Sequence, residues 1–556
     1  MQIKVILNDF LYNAGLLGLI RIFQNQGMSI HEHMDGQTFT FQLADLEQIE
    51  KGYFRLLIDR YGYETNYTKM VESEEFVKFC LNEKISDKEL DELNKLIEDA
   101  KRWLTSNSYK NTYHLITESE IDIEDLANSL KKVTKKKTET INDVKPQIHE
   151  MAMILLDCIE YLKNPTAKYY LCARILGYNI VQGFWKGISF LHKGNNTSDP
   201  YEEYNKYFVT PVKNHIASKN DAKKYAENKY CCATCENKMK NVSETFDLTW
   251  LQKIGIDSAK KSSYYWNHNR DIFICPVCNL IYSCIPLGFT LAKGKGIFVN
   301  NNQSVRQLVS SNELLIKEGD KQLTYDQLEE MTYYKIIDVI AQNADDKKEL
   351  ELDNIQIVKY DKQNESRPYT FNILSRQRAE VIVNSKNSLN YLVGKGAKEN
   401  KEYIQIYQET VQRLYNGQTF SDLLFRLMKA LGSGEFSNKV AIYHIIKVSN
   451  NQYKGVNKYM TTEELNKIRQ YGYWLRNAYQ GSENKLGGIL HRLLNALKVK
   501  NENKFMETLI QAYSYKKEPI PSAFVQVFED KDKFQTIGYT FLLGLQGYSG
   551  KEKEEK

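Results

Sequence analysis

The sequence is short of the residues and motifs on which most enzymes run. Its 556 residues hold only nine histidines, scattered along the chain. There is no glycine-rich phosphate loop ending in Lys-Ser/Thr, no His-Glu-x-x-His pair, no Gly-x-Ser-x-Gly elbow and no His-x-Glu ahead of a cysteine pair. These absences exclude P-loop, zincin, α/β-hydrolase and zinc-deaminase chemistry, and no catalytic residue is expected. Paired carboxylates such as Glu74 and Glu75 lie in charge-rich helical stretches, where a solvated face is the rule. No leader is expected either: the opening MQIKVILNDF has Asp9 inside its apolar stretch and no small-residue cleavage site, so it reads as the first folded element. Cysteines are few, nine in all, odd in number and unevenly spread, which fits a reducing cytoplasm and not a disulfide scaffold. One uncharged run, Ile272–Ala292, is long enough to mimic a membrane span. Pro276, Pro286 and Gly288 would break the helix a bilayer requires, so no membrane partner is expected.

What is present points to several folded domains. Hydrophobic residues make up 42% and tyrosines number 38, enough buriable surface for two to four cores in a chain of this length. The net charge of +5 hides an uneven distribution. Residues 1–130 carry 13 Lys and Arg against 23 Asp and Glu, residues 211–310 carry 14 against 7, and residues 381–556 carry 26 against 17. Two basic regions beside an acidic one point to surfaces that face an anion, nucleic acid first among them, with a mixed solvated surface as the plain alternative.

The expected fold is α+β and multidomain. A mixed N-terminal α+β domain spans 1–217 and carries an inserted four-cysteine, zinc-ribbon-like module with a basic loop at 218–310. Residues 311–384 complete the α+β region, 385–548 form a C-terminal all-α helical bundle, and the 549–556 tail is expected to be disordered. The local signals are as follows. Gln37–Leu43, Ile355–Tyr360 and Tyr369–Leu374 alternate like strands. Ser86 with Glu89 and Thr461 with Glu464 are capping boxes ahead of helical apolar spacing. Lys131, Lys132, Lys135, Lys136 and Lys137 read as a helix end or linker. Stripes such as Leu486, Ile489, Leu490, Leu493, Leu494 and Leu497, then Phe505, Met506, Leu509 and Ile510, build the bundle. Trp185 and Trp266 sit beside apolar runs, as core residues do, though either ring could stack on a base.

The chemistry lies in Cys232-Ala-Thr-Cys235 and Cys275-Pro-Val-Cys278. A two-residue gap lets both thiolates of a knuckle reach one ion, and two knuckles complete a tetrahedron. The expectation is a structural Zn²⁺ held by Cys232, Cys235, Cys275 and Cys278, closed to water and therefore not catalytic. Cys231 is a substitute ligand at most, Cys284 a buried small hydrophobe, and His268 a polar neighbour.

Around the knuckles the chain reads FDLTWLQKIGID (Phe246 to Asp257), SSYYWN (Ser262 to Asn267), FICPVCNLIYSCIPLGF (Phe273 to Phe289) and GIFVNNNQSVRQL (Gly296 to Leu308). With FLYNAGLLGLIRIF at Phe10 to Phe23 and YTFNILS at Tyr369 to Ser375, this resembles the CXXC-CXXC family of CRISPR-associated proteins, the large subunit of type I-B Cascade. The resemblance implies a subunit without nuclease activity. It would sit at the 5′ handle of the CRISPR RNA, recognise the protospacer-adjacent motif in target double-stranded DNA, support R-loop formation, contact other Cascade subunits and recruit the helicase-nuclease. It also implies a small-subunit-like bundle, with Met428 as a candidate internal start. The rival readings are an RNA-binding or transcription-associated zinc-ribbon protein and an RNA-modifying enzyme with a structural zinc.

Two groups are candidate nucleic-acid contacts. Lys293 and Lys295, with Asn300, Asn301, Asn302 and Gln303 one loop length on, offer ammonium groups to phosphate and amides to base edges, or else form a plain turn. In the bundle, Lys467, Arg469, Arg476 and Arg492, with Lys498 and Lys500, lie off the apolar stripes and line either a strand groove or a solvated face.

Overall fold

The computed structural model describes residues 2–218 except 84, 117–120, 137 and 186; 230–254 except 240, 241 and 253; 273–313; 324–345; and 355–550 except 365, 400, 401, 455–458, 529 and 530. The chain divides into two compact units, Met1–Tyr325 with Val358–Thr370, and Asp326–Ile357 with Phe371–Lys556. The sequence segments 1–217 and 218–310 thus share unit 1. Helix and strand are mixed across the chain, and its C-terminal part is helical, as the sequence patterns imply.

Unit 1 is built around one buried helix. Strand β1 (Gln2–Ile6) alternates exposed and buried residues and pairs antiparallel with β3 (Thr38–Gln42), the strand expected at Gln37–Leu43. β2 (Met34–Asp35) lies on the other side of β3, so the order β1-β3-β2 leaves β1 at an edge. Helix α1 (Phe10–Asn25) begins where the Asp9 carboxylate accepts from the N–H groups of Leu11 and Tyr12 at 2.8 and 3.0 Å. Every residue from Leu11 to Phe23 is buried. Helix α2 (Ile49–Tyr61) adds Tyr53 and Phe54 to an aromatic cluster with Tyr204, Phe208 and Trp185. Trp185 is fully buried and is a core residue; Trp266 lies outside the described residues.

A short ribbon, β4 (Tyr230–Cys231) with β5 (Lys238–Met239), carries the first knuckle. A four-stranded sheet follows in the order β6-β7-β8-β9, from β6 (Thr290–Ala292), β7 (Lys295–Asn300), β8 (Ile355–Asp361) and β9 (Tyr369–Leu374). The uncharged run at 272–292 is spent on an eight-residue and a four-residue helix and β6. Among the described residues no helix is long and apolar enough to cross a membrane.

A second core in unit 1 gathers residues 67–175. The helix Asp87–Leu104 opens with the Ser86–Glu89 capping box and buries Leu90, Leu93, Ile97, Ala100 and Leu104. The lysine cluster lies in the linker between the helices Ile123–Ser129 and Ile141–Lys163, and that linker is tied down. The Asn94 amide exchanges two hydrogen bonds with the Val133 main chain, while Lys132 and Lys135 pair with Glu98 and Asp87. The acidic helix neutralises a basic strap laid over it; Lys137 lies outside the described residues.

In unit 2 the helix Lys531–Leu545 buries Phe534, Ile537, Phe541, Leu542 and Leu545. It packs on Thr462–Ala478, which opens with the Thr461–Glu464 capping box. Gly472 and Gly544 allow this approach, because a Cβ at either would strike the main chain of Phe541 or Arg469. Two local expectations are corrected. Ile510 is 45% exposed and lies off the stripe that Phe505, Met506 and Leu509 bury. The stretch after Ser385 is also interrupted by a hairpin, β10 (Gly396–Glu399) with β11 (Glu402–Gln405), where Ala397 and Ile404 alternate inward. Met428 is buried in the helix Ser421–Ser433.

Candidate metal centre

The first knuckle is shaped by its ribbon. Between β4 and β5 the Cys232 N–H donates to the Asn237 carbonyl at 2.9 Å and the Glu236 N–H to the Cys232 carbonyl at 2.9 Å. Glu236 takes a left-handed φ of 59°, which turns the chain back. The second knuckle is a helix start. Cys275 is the N-cap of the helix Pro276–Ser283, Pro276 occupies the first turn, where its missing N–H costs nothing, and Cys278 follows within that turn. The partial positive charge of a helix N-terminus favours thiolate there. The Ala233 N–H donates to the Phe273 carbonyl at 2.8 Å and ties the knuckles together.

The four sulfurs converge. Cys232 Sγ lies 3.7 Å from Cys278 Sγ, Cys235 Sγ lies 3.5 Å from Cys275 Sγ, and all four are within 4.8 Å of one another. A tetrahedron of metal–sulfur bonds of about 2.3 Å has edges of about 3.8 Å, so this spacing is that of four ligands around one ion. The Cys275 N–H points at Cys232 Sγ at 3.2 Å and the Asn237 amide at Cys235 Sγ at 3.1 Å, as donors stabilising thiolates do. Hydrogen bonds from Cys235, Cys275 and Cys278 hold the Cys232 thiol far below the ordinary cysteine range. Cys232 and Cys235 in turn push the Cys275 and Cys278 thiols up. The Cys235 thiol is lowered as well, so two thiolates form readily and oppose the other two, and a bound cation would allow all four to ionise together. The residues therefore fit a metal ion. Four protein ligands leave no open position on it, which suits a structural role.

The centre lies inside the main core of unit 1, not on an appended module. Cys232, Cys275 and Cys278 are at most 1% exposed, and only Cys235 is half-buried. Tyr12 on α1 packs against the sulfurs; burial, then the neighbouring cysteines, push its phenol well up, so it stays neutral. Tyr282 stacks edge-on to Tyr12, donates to Asp9 at 2.9 Å and meets the Thr234 hydroxyl at 3.2 Å. The N-cap of α1, the helix that carries the second knuckle and the first knuckle are thus linked by one chain of hydrogen bonds. Gly15 and Gly18 of α1 face the carbonyls of Ile281 and Cys284, and Gly288 faces that of Ala14, so two backbones touch where any side chain would separate them. Sequence reasoning had no view of this shell, although two glycines three apart in an apolar helix are its visible trace. Cys231 is exposed and outside the cluster, Cys284 is fully buried with its thiol pushed up to about 12 by desolvation, and His268 lies outside the described residues.

The candidate nucleic-acid residues part company. Lys293 and Gly294, at φ 49° and 81°, form the two-residue turn between β6 and β7, and Lys293 is exposed. Lys295 lies 3.9 Å from Asp361 and over the Tyr325 ring. Asn300, Asn301, Asn302 and Gln303 are not in that loop. The six residues of β7 carry them roughly 20 Å away. Asn300 and Asn301 are 2% and 1% exposed. The Asn13 amide donates to Asn300 and Asn302 at 2.9 and 2.5 Å, and Asn301 donates to Ser311 at 3.2 Å. Asn300 is thus fastened to α1 and Asn301 to the helix Val305–Asn312, while Asn302 and Gln303 are half-buried. In unit 2, Arg469 is buried between the Tyr443 and Tyr548 rings and serves the bundle, whereas Arg476 donates to the Leu545 carbonyl at 3.2 Å and is exposed. Lys467, Arg492, Lys498 and Lys500 are exposed.

Comparison with curated proteins and with solved structures finds no match. Residues 225–290, which contain both knuckles, match the family model described as CRISPR-associated protein (Cas_CXXC_CXXC). The four converging cysteines thus lie within the segment of the chain that is similar to the CXXC-CXXC family of CRISPR-associated proteins.

Proposed function

We propose that this chain is the non-catalytic large subunit of a type I-B CRISPR RNA-guided DNA surveillance complex, Cascade, with Zn²⁺ in its four-cysteine centre. One observation carries the reading: the segment that matches a CRISPR-associated family is also the one whose four thiolates close on one point in the core of unit 1. In such a complex base pairing reads the target, while protein reads a short duplex motif and the backbone. The part assigned to this chain is to hold the 5′ handle of the CRISPR RNA, recognise the protospacer-adjacent motif, support strand opening and recruit the helicase-nuclease. Lys293 is the best-placed contact in unit 1, since it is exposed at a hairpin tip and has no ion-pair partner among the described residues. In unit 2 the exposed Lys467, Arg492, Lys498 and Lys500 are the corresponding set for a separated strand.

The test is co-expression with neighbouring backbone-subunit genes and a CRISPR array. The tagged chain should copurify with several different subunits and one short RNA species, and the complex should bind target duplex. Replacing Lys293 and Lys295 by Ala should weaken that binding and lower its salt slope by about 1 to 2. Purification as a lone protein that modifies RNA would instead favour the enzyme alternative.

A further inference from the structure

A groove of about 530 Å³ runs along the free edge of β1. Consecutive residues from Gln2 to Asn8 line it, whichever face of the sheet their side chains occupy, so the strand borders it with its backbone. Thr234 to Asn237 of the first knuckle form the opposite wall, and Tyr12, Ile216 and Val277 contribute apolar surface. One end is closed by the Asn8 amide, which donates to the Thr234 carbonyl at 2.6 Å.

The register fixes which main-chain groups face the groove. The Leu7 N–H donates to the Gln37 carbonyl at 3.0 Å, and the ladder continues with Ile6 opposite Thr38 and Val5 opposite Phe39. Hydrogen-bonded and non-bonded residues alternate in an antiparallel pair. Ile3, Val5 and Leu7 therefore bond to β3, and Gln2, Lys4 and Ile6 turn their N–H and C=O groups outward. Among the described residues the outward groups of Lys4 and Ile6 have no partner. Ile6 is also 59% exposed, an apolar side chain opposite Thr38 on β3 with no strand neighbour on the groove side.

We propose that this groove takes an extended polypeptide segment of a partner protein, which adds to β1 as the fourth strand of its sheet. Donors and acceptors that recur every second residue, about 6.8 Å apart, match the repeat of an extended backbone. The matching segment places apolar side chains against Ile216 and Val277, another over Ile6, and an acidic one beside Lys4. A second copy of β1 is a poor occupant, because the two-fold antiparallel pairing of its outward residues sets Lys4 against Lys4. The proposal is independent of the nucleic-acid role proposed above.

The experiment pans a phage-displayed heptapeptide library on the full chain and remakes the selected sequences as synthetic peptides. Bound peptides should slow hydrogen exchange at the Lys4 and Ile6 amides and leave Ile3 and Val5 unchanged. Lys4→Pro removes one outward donor on an edge strand that tolerates proline, and should weaken binding about tenfold. Ile6→Asp keeps every backbone group and should also weaken binding, so it decides the matter if Lys4→Pro fails to keep the parent melting temperature. Three outcomes overturn the proposal: no selected peptide binds more tightly than about 1 mM, peptides bind without protecting Lys4 and Ile6, or the chain dimerises with those amides protected.

Discussion

Unit 1 and unit 2 bring helices together by the same device, yet only unit 1 adds a cluster of thiolates. In unit 1, α1 lies on Pro276–Gly288 through Gly15, Gly18 and Gly288; in unit 2, Thr462–Ala478 lies on Lys531–Leu545 through Gly472 and Gly544. The partners differ in length. The unit 2 pair are helices of 17 and 15 residues, long enough to cooperate along several turns. The partners of α1 are helices of eight and four residues, too short to persist without tertiary support. A metal ion held at the start of the eight-residue helix would supply the missing order, which is the structural role proposed for the four-cysteine centre.

Removing the metal should therefore split the two units. Structural zinc in small domains contributes on the order of 10 kcal/mol, so chelation, or Cys275→Ser with Cys278→Ser, should cost unit 1 its cooperative core. Hydrogen exchange read by mass spectrometry should rise across peptides from α1 and stay low across Phe534 to Leu545; an equal rise in both would break the contrast. A smaller effect tests the shared device. Gly18→Ala and Gly544→Ala should each destabilise by about 2 to 4 kcal/mol, since the added methyl meets main chain that cannot step aside. Denaturant unfolding followed by the same exchange probe should locate each loss in its own unit, and a near-neutral Gly18→Ala would show that α1 has room to shift.

The smallest expected effect is specific to unit 2. His444 stacks on Tyr391 at 4.4 Å, and burial, with Lys447 assisting, lowers its imidazole to about 4. The unfolded chain takes up that proton near pH 6.5, well before the folded one. Unit 2 should keep its full stability above pH 6.5, lose it progressively as the pH falls toward 4, and lose no more from this group below that. A loss of about 2 kcal/mol is expected after allowance for residual solvent, and His444→Gln should flatten the profile. An unchanged slope in that variant would remove His444 from the account.

The parts legible in the sequence were those set by neighbours along the chain. Capping boxes need residues three apart, stripes repeat within two turns, and each knuckle closes over two residues, so Ser86, Thr461 and Cys232 declared themselves. The misplaced parts depend on distant partners. Asn300 and Asn302 look like loop amides until Asn13, 287 and 289 residues away in sequence, donates a hydrogen bond to each. Arg469 looks like surface charge until Tyr443 and Tyr548 enclose it. Lys293 and Lys295 looked like one loop with the asparagines because sequence distance hides that a strand is straight.

The seating of α1 also sets an order of events during synthesis. Arg21 bonds to the carbonyls of Leu287, Gly288 and Asn312, 266, 267 and 291 residues later. At roughly 5 to 20 residues per second, the apolar helix waits about 15 to 50 seconds on the ribosome before its partner emerges. The ion cannot help sooner, because its last two ligands lie on that same late segment. The nascent chain therefore exposes an apolar helix for most of the time it takes to make unit 1, which is the interval in which aggregation or chaperone binding competes with folding.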